Sequence, residues 1–290
     1  MNHIELCDAF IRISKGVWHW MRRARRVVNP SLAKHASPWG MQLRETTLTD
    51  YVVLRLLEEC SPIVSVFTFI PFLEAKTGAD MEMWITDGSY WLGLRIQCKI
   101  SDHAGQVREL HYKRNGQYQS DILIRSAQIP GCFPIYLLFV GPPYKLSPYR
   151  CPCYEGEWPY GRPCYRRGCL CGATWGNWWL SAYIVKKKMP EKHLSRLADF
   201  MTPWHCIFCC PLPILPNRVS VSMIHQHLVD FIFYEDEQDI KGIEPVQTPP
   251  RYVQLARAGD LPRAEEELRR LLEGREMQHL VIIDLAQLEE

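Results

Sequence analysis

Apolar residues first recur at helical spacing. Phe10, Ile11, Val17, Trp18 and Met21 share one stripe, and Arg22, Arg23, Arg25 and Arg26 follow at its C-terminal end, where cations suit a helix dipole. A loop carrying Pro and Gly, Asn29 to Gly40, precedes a second helix predicted over Thr47 to Cys60, with Leu48, Val52, Leu54, Leu56 and Leu57 as its apolar face. Three strands are then predicted, over Ile63–Phe72, Asp80–Thr86 and Trp91–Ile100. Asp87-Gly88-Ser89 is a turn signal, so the last two should pair as an antiparallel hairpin. Asp121–Gln128 reads as a helix, and Phe133–Val140, the most apolar run, as a buried strand. Helix, three strands, helix, strand is the order of an α/β core.

Beyond it the pattern changes. Pro142 to Gly176 is rich in Pro, Gly, Tyr and Cys with little periodicity, as expected of an insertion. Trp178–Val185 is predicted as a strand, Glu191–Phe200 as a helix, and Val219–Phe233 as a mixed apolar stretch. Glu235 to Pro250 reads as an acidic linker, ahead of a charged helix, Leu261–Glu273, and a short strand, Leu280–Leu285. The expected organisation is an N-terminal helix and loop (1–40), a central domain (41–235) with a Cys-rich insertion at about 142–176, and a C-terminal helix-strand appendage (236–290).

The 290 residues, 47% hydrophobic and 23% charged, are enough for a core that needs no disulfides. A net charge of +2 excludes a strongly basic nucleic-acid coat but permits a local basic groove. Ten Trp imply an aromatic layer. The opening residues, Met1-Asn2-His3-Ile4-Glu5-Leu6-Cys7, lack a basic stretch followed by an apolar one, so no secretory signal is expected. No apolar run approaches the roughly 20 residues of a membrane span. The expectation is a cytoplasmic chain with no membrane partner, whose twelve Cys stay reduced and, where clustered, favour metal over disulfide.

The hairpin carries the candidate chemistry. Residues two apart on a strand share a face, so Asp80 and Glu82 point together, as do Gln97 and Lys99. Two carboxylates and an amide oxygen suit Mg²⁺, or Mn²⁺, with water and the Cys98 carbonyl completing the shell. Lys99 would steady a scissile phosphate or orient the attacking water. On an ordinary solvated sheet face the same residue types alternate with no function at all.

These residues resemble the PD-(D/E)xK, or restriction-endonuclease-like, phosphodiesterase superfamily, in the variant where Gln replaces the last acidic residue. More closely, the chain resembles a bacterial family sharing a Glu-x-x-x-Gly-Ala-Asp-x-Glu-x-Trp strand, a Gln-x-Lys strand and a Trp-His-Cys-x-x-Cys segment, here Glu74 to Trp84, Gln97 to Lys99 and Trp204 to Cys209. The resemblance implies an α/β fold with a restriction-endonuclease-like mixed sheet flanked by helices. It makes Asp80 the metal-binding acid, Gln97 the second ligand and Lys99 the catalytic lysine. A glutamate from the first helix of the core is also implied; Glu45 and Glu59 both qualify, and Glu45 is preferred because Glu45-Thr46-Thr47-Leu48-Thr49 precedes that helix as a cap. Gln97 removes a negative charge that Glu82 or Glu74 would have to replace. The implied function is Mg²⁺-dependent cleavage of nucleic acid, DNA in the first instance, in a bacterial defence setting. The alternative is a non-catalytic nucleic-acid-binding or scaffold protein on the same fold, stabilised by zinc.

Two Cys-rich segments bear on that alternative: Cys151, Cys153, Cys164, Cys169 and Cys171 in one, His205, Cys206, Cys209 and Cys210 in the other. A tetrahedral Zn²⁺ site would draw on both, with Cys169, His205, Cys206 and Cys209 as the candidate set. Read plainly, these cysteines are small buried hydrophobes. Arg22 to Arg26, Lys113-Arg114 and Lys186-Lys187-Lys188, with Trp18, Trp20, Tyr112 and Tyr118, offer phosphate and base contacts, although such runs are more often solvated faces. His111 and Asp121 are expected at the surface, and the N-terminal helix would serve equally to pack against a partner or a second copy of the chain.

Overall fold

The computed structural model describes residues 1–26, 44–69, 79–107, 109–114, 116–141, 176–209, 219–233, 240, 242–271 and 277–289. Helix α1 (His3–Arg26) comes first, with Leu6, Phe10, Ile13, Val17 and Met21 buried at the three- and four-residue steps that keep one helical face inward. Helix α2 (Glu45–Cys60) does the same with Leu48, Val52, Leu56 and Cys60. Then follow β1 (Val64–Thr68), β2 (Met81–Thr86) and β3 (Trp91–Ile100). A two-rung hairpin, β4 (Lys113–Arg114) and β5 (Gln117–Tyr118), leads into α3 (Gln119–Gln128), and β6 (Cys132–Val140) returns to the sheet.

The C-terminal half continues with β7 (Gly176–Ser181), α4 (Ala182–Lys187), α5 (Leu194–Leu197), β8 (Thr202–Pro203), α6 (Cys206–Cys209), α7 (Val221–His227), α8 (Arg251–Arg257), α9 (Leu261–Leu271) and β9 (His279–Asp284). The strand expected over Trp178–Val185 ends at Ser181, whose hydroxyl accepts from the Tyr183 N–H at 3.1 Å and caps α4. The apolar run therefore turns helical halfway. The helix expected over Glu191–Phe200 is reduced to one turn and a tighter turn, Ala198–Phe200, and α8 falls just after the stretch read as a linker.

Among the described residues seven strands form one mixed sheet in the order β1-β9-β2-β3-β6-β7-β8, and β4 and β5 pair only with each other. The hairpin expected from Asp87-Gly88-Ser89 is present, with β2 antiparallel to β3 and Glu82 opposite Arg95. Strands β3 and β6 run parallel, which the crossover through α3 permits. The C-terminal strand corrects the expectation of an appendage: β9 lies inside the sheet, antiparallel to β1 and parallel to β2. Leu280, Val281, Ile282 and Ile283 are apolar toward both faces, which is the composition of an interior strand.

Helices cover both faces. On one, α1, α2, α6 and α7 bury Met81, Met83, Leu94, Ile96, Ile135 and Leu137 in a single core, so α1 is part of the same body as the sheet. On the other, α3, α4 and α5 cover Tyr136, Leu138 and Leu180, while α8 and α9 cover Trp84, Leu280 and Ile282. Polar residues of β2 and β3 lie between those two apolar clusters. Close packing of α1 explains Gly176: with φ at +63° and Ser14 O only 2.0 Å from where a Cβ would stand, no other residue fits.

Candidate metal-binding site on the β2–β3 hairpin

Strand β3 is longer than its partner. Its pairing with β2 ends at Ile96 opposite Met81, so Gln97 to Ile100 run on with no β2 backbone beside them. Asp80 fills the gap. Its N–H donates to Ile96 O at 2.8 Å, its carbonyl accepts from Gln278 N at 3.2 Å, and its side-chain Oδ2 accepts from the Cys98 N–H at 2.6 Å, taking the place of a missing ladder bond.

Three further side chains join it. Gln97 Nε2 lies 2.5 Å from Asp80 Oδ2 and 3.1 Å from Glu45 Oε1, and also 3.0 Å from Cys98 O. Lys99 Nζ donates to both oxygens of Glu45, at 3.2 and 3.4 Å. Glu45 is the first residue of α2, which begins two residues earlier than Thr47 and places this carboxylate at the favourable end of the helix dipole. Glu59, the other candidate, lies about 21 Å further along the same helix at 1.5 Å per residue. There it is taken by Arg12, at 2.7 Å, and Arg55.

The electrostatics follow from burial. Loss of water pushes the Glu45 carboxyl up to about 7, against the pull of Lys99 and with Asp80 adding to the rise. Burial likewise raises Asp80, opposed by Lys99, the Cys98 N–H, His279 and Gln97. Two carboxylates thus share one amide nitrogen and one ammonium group. Tyr136, opposite Gln97 on β6, has its hydroxyl raised by burial and then by Glu45, Asp80 and Asp121, which places it beside the same charges.

Glu82 is on the same face and does something else. Trp84 Nε1 donates to its Oε1 at 2.6 Å, Tyr252 donates to the same oxygen, and Arg95 Nε donates to Oε2 at 2.8 Å. With its lone pairs occupied and no exposed surface, this carboxylate is closed to a metal. Glu74 lies outside the described residues. His111 bonds to Glu191 O at 2.6 Å, and Asp121 pairs with Lys186 at 2.8 Å.

Sequence reasoning missed Gln119. At the first position of α3, it donates from Nε2 to Gln97 Oε1 at 2.7 Å. A single Gln at a helix start carries no signal, and only the fold brings it to the site. It missed, too, what meets the second Cys-rich segment. His205, Cys206 and Cys209 are buried, and α1 brings Cys7, 3.7 Å from His3 Nε2, beside Cys209 and His205. Burial would raise the Cys7 thiol, but hydrogen bonds with Cys209 and His3 and the charges of His3 and His205 outweigh it and bring it down to about 5. Cys169 lies outside the described residues, and among those described no group of three or more His, Cys, Asp or Glu is arranged to hold a metal. The hairpin site has two carboxylates, with the Gln97 amide and the Cys98 carbonyl beside them.

Among the described residues no helix is long and apolar enough to cross a membrane. No curated protein and no solved structure matches the chain. A family model does, over residues 6–288, from the first turn of α1 to just past β9, and the chain therefore belongs to DUF6615, a family of unknown function.

Proposed function

We propose that the protein is a Mg²⁺-dependent phosphodiesterase acting on nucleic acid, with DNA the substrate to test first. The observation that carries this reading is the meeting of Asp80 from the hairpin, Glu45 from α2 and Gln97 from β3 around one point, with Lys99 bonded to Glu45. All the donors are oxygens or can present one, which suits a hard cation, and Lys99 is the neighbouring positive charge that phosphate chemistry requires.

Glu45, Asp80, the Gln97 side-chain oxygen and the Cys98 carbonyl would hold the ion, with Glu82 left out because its carboxylate is already used. When bound, Mg²⁺ supplies positive charge that offsets the charge building on the phosphoryl oxygens. Lys99, buried along its stem, holds its ammonium at a fixed point to bind a phosphate oxygen or orient the attacking water. The nucleic-acid part of the proposal is supported by the resemblance of Asp80, Gln97 and Lys99 to the nuclease superfamily.

The test is incubation of plasmid, linear duplex and single-stranded DNA, and of RNA, with Mg²⁺ or Mn²⁺. Cleavage of one of them should fall by at least about 100-fold in Lys99→Ala, the scale of losing one charge-stabilising donor. Equal cleavage by wild type and Lys99→Ala, at equal thermal stability, would sink the assignment.

A further inference from the structure

The amide pair Gln97–Gln119 is unevenly satisfied. Gln97 turns its Nε2 toward three acceptors, Asp80, Glu45 and Cys98 O, and its Oε1 toward Gln119 Nε2. Gln119 Oε1 is buried, with no hydrogen-bond partner among the described residues. In this orientation the amide N–H groups soften the repulsion between the two carboxylates. It is the wrong orientation for a cation, which would meet the positive end of the amide dipole.

A half-turn of the Gln97 amide puts Oε1 among the carboxylates and Nε2 against α3. There it meets Gln119 Nε2, donor to donor, unless Gln119 turns as well. When both turn, Gln97 Nε2 donates to Gln119 Oε1, the atom with no partner among the described residues. Each amide therefore dictates the direction of the other. We propose that Gln119 is a positioning residue that holds the Gln97 oxygen toward a divalent cation between Asp80 and Glu45. The inference rests on the cation site proposed above and adds to it the residue that sets the amide's direction.

The experiment is a titration with Mn²⁺ alone, followed by electron paramagnetic resonance, on the full chain and its variants. Wild type should bind Mn²⁺ and Asp80→Asn should not. Gln119→Met, similar in size but without donor or acceptor, should weaken binding about tenfold, the scale for losing an outer partner of a metal ligand. Gln119→Glu, which keeps the acceptor, should stay closer to wild type. In the Gln97→Glu background both ends of residue 97 are oxygens, so direction loses its meaning and Gln119→Met should change binding by less than about twofold. Gln119 is part-exposed at a helix start, so thermal melts should show all these variants folded. Gln119→Met binding as tightly as wild type, or weakened equally in both backgrounds, overturns the positioning role and leaves the cation site standing. Absence of Asp80-dependent Mn²⁺ binding in wild type overturns both. Asp80-dependent binding without cleavage of any nucleic acid overturns the phosphodiesterase reading alone.

Discussion

Two acid–base groups sit side by side on one sheet face. Glu82 and Arg95 form the first, an opposed pair on β2 and β3; Asp80, Gln97 and Lys99, with Glu45, form the second, one step toward the end of β3. Both take an acid from the β2 side and a polar or basic residue from β3. The first is sealed: the two side chains are 0% and 1% exposed, every lone pair is used, and Tyr252 of α8 lies beneath them. In the second, Glu45 keeps 20% of its side chain exposed and a single ammonium group, that of Lys99, faces two carboxylates. The lesson is that residue types do not make the site. What separates a structural ion pair from a candidate centre is whether its charges are already matched within the fold.

The sharpest way to break this comparison is to make the sealed pair resemble the open one. Arg95→Gln leaves Glu82 buried without its guanidinium, so urea unfolding should show a loss of about 3–5 kcal/mol, with Asp80-dependent Mn²⁺ affinity unchanged in the folded protein. A loss under 1 kcal/mol would mean that the two groups are not so different. The converse change, Gln97→Glu, adds a third carboxylate beside two. Without metal it should cost roughly 1–3 kcal/mol, as expected for a buried group losing its donor, and Mn²⁺ should more than restore the difference. A variant as stable as wild type without metal would show that the carboxylates there do not press on one another.

The smallest effect concerns a third buried titratable group, on the opposite face. Burial holds the His227 imidazole down from 6.5 to about 3, so it stays neutral in the fold while the unfolded chain takes up a proton across that interval. Its neutral burial carries no pH-dependent cost above about pH 6.5 and destabilises progressively as pH falls toward 3. His227→Leu should therefore lose less melting temperature than wild type between pH 7 and pH 4.5. Parallel losses would remove His227 from the acid sensitivity of the fold.

Much of the fold was legible because it is local. The helical stripe of α1, the turn at Asp87-Gly88-Ser89 and the unbroken apolar run of β6 each declare themselves within a few residues. Asp80, Gln97 and Lys99 were legible too, since two strands and a short turn fix where their side chains go, whereas Glu45, on α2, came only from the family resemblance and stood beside Glu59 as an alternative. Glu82 was read as a ligand because alternation gives the face and says nothing of what lies beneath it; its partner Tyr252 is 170 residues away. Gln119, the α1 residues beside Cys209 and the seat of β9 were hidden for the same reason. Each depends on contacts between segments far apart in the chain, and periodicity carries no record of those.

The seat of β9 also orders events at the ribosome. Until residues 279–284 have been translated, β2 has β3 on one side and an open edge on the other, and Asp80 lacks the Gln278 N–H that steadies its backbone. A growing polypeptide thus carries every side chain of the hairpin long before it can set them rigidly, and a strand made about 180 residues later acts as the keystone.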